Sequence, residues 1–138
     1  IYKKSLTRIP VFGWSLYLGG YIPIDRSNAR SAIESLKKAS KRLKENVSIA
    51  IFPEGTRSKT GITGEFKKGI FMLAEFAEAE IIPVTIIGTN KILAKDSYKI
   101  NPGPVKVIID SPKVFRKDKE FLGEIRETIL DNINKSDK

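Results

Sequence analysis

The sequence has no histidine and no cysteine, a single methionine and a single tryptophan. Without histidine the commonest general base and the commonest metal ligand are missing, so base chemistry within these residues falls to Asp, Glu, Lys or Tyr. Without cysteine there are no disulfides, no thiol nucleophile and no thiolate metal site, which fits a reducing compartment. No clustered ligand set calls for a metal, and none is expected. Long apolar runs are also scarce. The uncharged stretch 9–24 falls short of the ~20 residues that a spanning helix needs, and Pro10, Gly13, Gly19, Gly20 and Pro23 interrupt it. Internal repeats and low-complexity segments are absent.

What is present is an ordinary globular composition with a strong positive bias. At 138 residues the expectation is one domain over 1–138 with a real core. Hydrophobic content of 41% and charged content of 30% place the chain with soluble globular folds. The balance of 25 Lys+Arg against 16 Asp+Glu leaves +9. That favours anionic partners: phosphate esters, acidic lipid surfaces, acidic carrier proteins or nucleic acid. The chain opens on Ile1 with no signal-peptide pattern, from which a truncated or processed N-terminus is expected.

Strand and helix patterns alternate along the chain. Lys3, Lys4 and Arg8 precede the uncharged stretch, which carries Phe12, Trp14, Tyr17 and Tyr21. It reads as a short helix over 11–18, a turn at Gly19-Gly20 and a strand over 21–24. Core packing is the expected fate of its aromatics, with a membrane-dipping face as the alternative. Ser27 and Asn28 are N-cap candidates for an amphipathic helix through Ala29, Ala32, Ile33, Leu36, Ala39 and Leu43, whose lysines face solvent. The apolar run 47–52 reads as a strand buried on both faces, completing a βαβ unit with a right-handed crossover. Phe66, Gly69, Ile70, Leu73, Ala74 and Ala77 mark a further helix. Strands follow over 81–87, where Pro83 signals a strand start or an edge, and over 105–109. Phe121, Leu122, Ile125, Ile129 and Ile133 mark a C-terminal helix. The expected class is α/β, with a mostly parallel sheet flanked by helices.

The chemistry concentrates in Phe52-Pro53-Glu54-Gly55-Thr56-Arg57-Ser58. Here an apolar run breaks into acid, glycine, hydroxyl and guanidinium where an α/β strand leaves its sheet, the usual ligand crevice. Arg57 offers a planar fork of donors for phosphate, Thr56 and Ser58 offer hydroxyls, and Gly55 permits close approach to backbone. The βαβ topology puts Asp25-Arg26 on the same sheet edge, so Arg26 and Arg57 are expected to converge. Lys67 and Lys68 fall in the first turn of the next helix, against its macrodipole. Either a bound anion relieves them or both point into water. In the long stretch 88–104, Lys91 and Lys95 either flank a pocket or, like most such lysines, point into solvent. A P-loop is excluded because Gly55-Thr56-Arg57 lacks the G-x-x-x-x-G-K-[ST] spacing.

Four stretches in order together resemble the glycerolipid acyltransferases, typified by 1-acylglycerol-3-phosphate acyltransferase. Ile9-Pro10-Val11-Phe12-Gly13-Trp14, leading to Gly20-Tyr21-Ile22-Pro23-Ile24-Asp25-Arg26, looks like the family's second block. Phe52 to Ser58 is similar to its third block almost letter for letter, Phe66-Lys67-Lys68-Gly69 to the segment that follows, and Ile82-Pro83-Val84 to its fourth. The resemblance implies a glycerol-3-phosphate acyltransferase-like fold. It also implies transfer of an acyl group from acyl-CoA or acyl-carrier protein to the free hydroxyl of lysophosphatidic acid, in phospholipid biosynthesis at the cytoplasmic face of a membrane. Arg26, Glu54, Gly55, Thr56 and Arg57, joined by Lys67 and Lys68, would form the acceptor site. No cofactor beyond the acyl donor is implied. Glu54 either accepts from a glycerol hydroxyl, holds Arg57, or forms a structural ion pair.

One departure stands out. The family's catalytic His-x-x-x-x-Asp block, whose histidine is the general base and whose aspartate orients it, has no counterpart in a chain without histidine. Asp25 belongs to the second block and does not replace it. The expectation is an acyltransferase domain lacking its N-terminal catalytic segment, with no catalytic residue of its own, inactive alone. The rival is a non-catalytic lipid-binding or membrane-surface domain of the same fold. A nucleic-acid module rests on charge alone and is not expected, because the aromatics do not interleave with basic residues on a strand platform.

Overall fold

A computed structural model describes residues 1–25, 27–58, 61–118 and 120–136, excluding the side chain of Ile70. The chain divides into two compact units, Ile1–Ile51 with Lys68–Ala79, and Phe52–Lys67 with Glu80–Lys138.

In the first unit, β1 (Tyr2–Lys3) leads into a 3₁₀ helix (Lys4–Arg8), then α1 (Phe12–Leu18), β2 (Pro23–Ile24), α2 (Ala29–Lys44) and α3 (Gly69–Ala77). Helix α2 starts where its cap predicts, with the Asn28 side-chain oxygen accepting from the Ser31 amide at 3.0 Å. Its apolar stripe supplies Leu36 and Ala39, which join Leu73 of α3 in the core; Ile22, Ile24, Leu43, Ile49, Met72 and Phe76 pack around them. Lys37, Lys38, Lys41 and Lys44 are exposed, as the amphipathic pattern requires.

Two expectations fail in this unit. The run 47–52 joins no strand ladder among the described residues; Ile49 and Ile51 are half-buried while Val47, Ala50 and Phe52 are exposed. Apolar content measures the tendency to be buried, whereas pairing depends on what distant chain lies alongside. The parallel partner of β2 is instead β1, with Tyr2 opposite Pro23 and Lys3 opposite Ile24. The aromatics of α1 are also not core. Trp14 is 67% exposed, Tyr17 78% and Leu18 83%, and Gly13 is the only buried residue of the helix. The 3₁₀ helix meets α1 through backbone: a Cβ on Gly13 would fall on the Thr7 carbonyl. Contact made through a glycine leaves the large side chains of a seven-residue helix facing outward.

The second unit holds β3 (Val84–Ile87), α4 (Thr89–Ile92), β4 (Lys106–Ile109) and α5 (Glu120–Ser136). Strands β3 and β4 pair antiparallel, from Val84 opposite Ile109 to Ile87 opposite Lys106. Pro83 sits just before β3, where it needs no ladder donor, and its carbonyl accepts from the Asp110 amide at 3.0 Å. Helix α5 packs on β3 with Phe121 and Ile125 buried. The Asn132 amide donates to the buried Thr85 hydroxyl at 3.1 Å and to Asp110 at 2.8 Å, which satisfies a polar group that burial would otherwise penalise. At the start of α5, Asp118 accepts from the Phe121 amide at 2.7 Å. Arg116 pairs with Asp118 and Glu124 and lies 5.4 Å from the centre of the Phe121 ring.

The class is α/β as expected. In place of one mostly parallel sheet, the described residues carry two two-stranded ladders, one parallel and one antiparallel.

Candidate functional site

The second unit opens with the turn that bears the acid–glycine–hydroxyl–arginine sequence. Pro53 presets the second position of a turn closed by the Gly55 amide donating to the Phe52 carbonyl at 3.1 Å. Gly55 has φ 72°, a conformation that is inexpensive for glycine alone. The turn is tied to the segment beyond it at two points. The Lys67 amide donates to the Pro53 carbonyl at 2.8 Å, and the Glu54 carboxylate accepts from the Gly64 amide at 2.7 Å. From α5, Arg126 donates to the carbonyls of Thr63 and Gly64 at 3.3 Å each.

These ties shape an open cleft of about 280 Å³ lined by Glu54, Thr56, Arg57, Ser58, Ile62, Gly64, Glu65, Lys67 and Lys95. Three cations, Arg57, Lys67 and Lys95, border it together with two acids. Lys95 reaches the Thr56 hydroxyl at 3.5 Å. Among the described residues Arg57 has no carboxylate within ion-pairing distance, and it is exposed at the cleft's border. The volume is near the lower end of small-molecule sites, roughly 300 Å³.

The cleft gathers Glu54, Thr56, Arg57 and Lys67 of the sequence-derived set, with Gly55 shaping the turn behind them. Lys95 joins them and Lys91 does not; Lys91 lies in the last turn of α4. Lys67 and Lys68 part company. Helix α3 begins at Gly69 with Lys68 at its cap position, outside the first turn where the pattern placed it, while Lys67 lines the cleft. Arg26, and with it the expected convergence of two arginines, lies outside the described residues. Of the roles open to Glu54, the geometry displays a structural one through the Gly64 amide, with no ion pair to Arg57.

Asp25 is occupied structurally. It accepts from the Ser27 hydroxyl at 2.6 Å and amide at 3.1 Å and pairs with Lys4 at 3.3 Å. The Ser27 hydrogen bonds, followed by Lys4, hold its carboxyl below the usual range, so it is a poor base. Sequence reasoning missed Arg126. A lone arginine on an amphipathic C-terminal helix carries no signal that its guanidinium reaches a loop more than sixty residues earlier.

The Acyltransferase family matches residues 1–87. The chain is 38% identical over 135 residues to the chloroplastic 1-acyl-sn-glycerol-3-phosphate acyltransferase BAT2 of Brassica napus, covering 97% of this chain and 39% of that protein. A second relative, LPAT1 of Arabidopsis thaliana, is also 38% identical, with 97% and 38% covered. Among solved structures, the 1-acyl-sn-glycerophosphate acyltransferase PlsC from Thermotoga maritima matches with a TM-score of 0.84 at 27% identity, over 99% of this chain and 55% of that one. The chain thus spans about two-fifths of the length of the curated relatives it matches. The motif order, the match over 1–87 and the shared fold agree, and the chain belongs to the acyltransferase family.

Proposed function

We propose that residues 1–138 act as one acyltransferase domain that supplies the acceptor-binding part of a 1-acylglycerol-3-phosphate acyltransferase. The reaction passes an acyl group from the thioester of acyl-CoA or acyl-carrier protein to the free hydroxyl of lysophosphatidic acid, in phospholipid biosynthesis. One observation supports this most: Arg57, Thr56, Lys67 and Lys95 border a single cleft behind a turn with the family's third-block sequence. The guanidinium takes two phosphate oxygens at once, the ammonium groups add charge, and the Thr56 hydroxyl fixes orientation. Glu54 holds Gly64, another residue of the cleft lining, by accepting from its amide. Arg26 and Lys68 enter the proposal on the resemblance alone.

Attack by a glycerol hydroxyl on a thioester carbonyl needs a base to accept its proton, and these residues contain no histidine. The chain by itself therefore binds acceptor weakly at most and does not turn over. Titration with glycerol 3-phosphate, followed by amide NMR, should move the signals of Gly55, Thr56, Arg57 and Gly64, while glycerol leaves them in place. Equal responses to both compounds would remove the phosphate reading. Acyl transfer to lysophosphatidic acid by this chain, free of contaminating enzyme, would refute the inactivity. The exposed aromatics of α1 also favour association with an anionic membrane surface, whether or not the domain is part of an active enzyme.

A further inference from the structure

Helix α1 presents an apolar surface that no part of its own unit covers. Trp14, Tyr17 and Leu18 follow one another at helical spacing and are 67%, 78% and 83% exposed. With Thr7 and Gly13 they line an open hollow of about 460 Å³. Val11, at the head of the helix, is exposed as well. It sits at φ 65° and ψ −55°, and the Phe12 amide donates to the Pro10 carbonyl at 2.7 Å, which is a γ-turn of the rare, strained hand. Exposed apolar groups clustered on one short helix mark an interaction surface.

Two features identify what that surface meets. The first is charge: residues 1–24 contain no acid, and Lys3 and Arg8 stand exposed beside the apolar helix. The second is residue type. Tryptophan and tyrosine carry an apolar body and a polar tip, the composition of side chains that settle between acyl chains and headgroups. Seven residues of helix rise only ~10 Å, enough to lie in an interface and far too little to cross one. No described helix is long and apolar enough to cross a membrane.

We propose that α1 is an interfacial anchor. Trp14, Tyr17 and Leu18 insert among the lipids of an anionic membrane surface, while Lys3 and Arg8 meet its phosphate headgroups. This deepens the membrane part of the proposed function and rests on it, but is independent of the acceptor cleft. The Gly13 contact fixes the helix against the 3₁₀ segment, so that its apolar residues are presented together.

The chain has one tryptophan, and it lies in the centre of this surface. Trp14 fluorescence therefore reads the proposal directly. With phosphatidylcholine–phosphatidylglycerol vesicles the emission should shift to the blue and be quenched by brominated acyl chains. Binding should be about tenfold stronger than to phosphatidylcholine alone and should weaken with added salt. Leu18→Glu, at an exposed position where the fold is not at risk, should weaken partition at least about tenfold with an unchanged circular dichroism spectrum. Arg57→Ala should lose glycerol 3-phosphate binding and keep the vesicle response, so failure of the cleft and failure of the anchor remain distinguishable. The proposal is overturned by an unshifted wild-type spectrum with anionic vesicles, or by vesicle binding that Leu18→Glu leaves intact. A blue shift that grows with protein concentration without lipid, matched by dimers in sedimentation, would give the surface to a second copy and overturn it too.

Discussion

Glu54 offers the sharpest separation between a charge effect and a positioning effect in the cleft. Its carboxylate lines the space where an anion is proposed to bind, so on charge alone its removal should strengthen phosphate binding. It also holds the Gly64 amide at 2.7 Å, and thereby the segment that carries Lys67. A hydrogen bond to a charged acceptor contributes about 1.5–3 kcal/mol when protected. Glu54 is only half-buried, which brings the expected contribution to about 1 kcal/mol. Glu54→Gln keeps an acceptor oxygen and discards the charge; Glu54→Ala discards both. Calorimetric titration with glycerol 3-phosphate should show Gln binding as well as wild type or better, and Ala about fivefold more weakly. The Gly64 amide should exchange with solvent faster in the Ala variant alone. Should Glu54→Ala bind phosphate more tightly than Glu54→Gln, the carboxylate acts by repulsion and the positioning argument is wrong.

Other consequences are simpler to check. Gly55→Ala puts a Cβ on a residue at φ 72° and should cost about 1–2 kcal/mol in thermal or urea denaturation. Phe121, on α5 and 1% exposed, should cost about 3–5 kcal/mol on truncation to Ala, measured in the same way. Val11→Gly relieves the strained γ-turn and should raise stability by about 1 kcal/mol, a gain that a higher midpoint would register. Asp25 and Asp118 both titrate below their ordinary value of 3.8 in the folded state, Asp25 through Ser27 and Asp118 through the Phe121 amide. A depressed folded value means that the stabilisation is complete above 3.8 and disappears as pH falls through the folded values. Unfolding free energy measured downward from pH 5 should decline in that acid window, and less steeply in Asp118→Asn.

Local rules carried far in this chain. The Asn28 cap and a stripe of Ala and Leu placed α2, Pro83 marked the approach to β3, and the change from apolar to polar at Phe52 marked the turn with Glu54 and Arg57. Each of these depends on residues within a few positions of one another. The errors were non-local. Nothing in the run 47–52 announces that it joins no ladder among the described residues, because pairing depends on a neighbour, and β2 pairs with Tyr2–Lys3. Trp14 and Tyr17 looked like core because aromatics bury well, yet Gly13 gives the contact to backbone and leaves them outside. Lys68 lies one residue from Lys67 but sits at the cap position of α3, without a side-chain capping bond, while its neighbour lines the cleft. Arg126 reaches the carbonyls of Thr63 and Gly64 from distant sequence, which periodicity does not reveal.

The central claim is that the third-block turn holds a phosphate through Arg57. The dissociation constant of glycerol 3-phosphate for the wild-type chain and for Arg57→Lys tests it most directly, since lysine keeps the charge and loses the fork of donors. The account predicts saturable binding that weakens about tenfold or more in Arg57→Lys, while the exposed Lys38→Ala on α2 leaves it unchanged. Equal affinity in wild type and Arg57→Lys would contradict it.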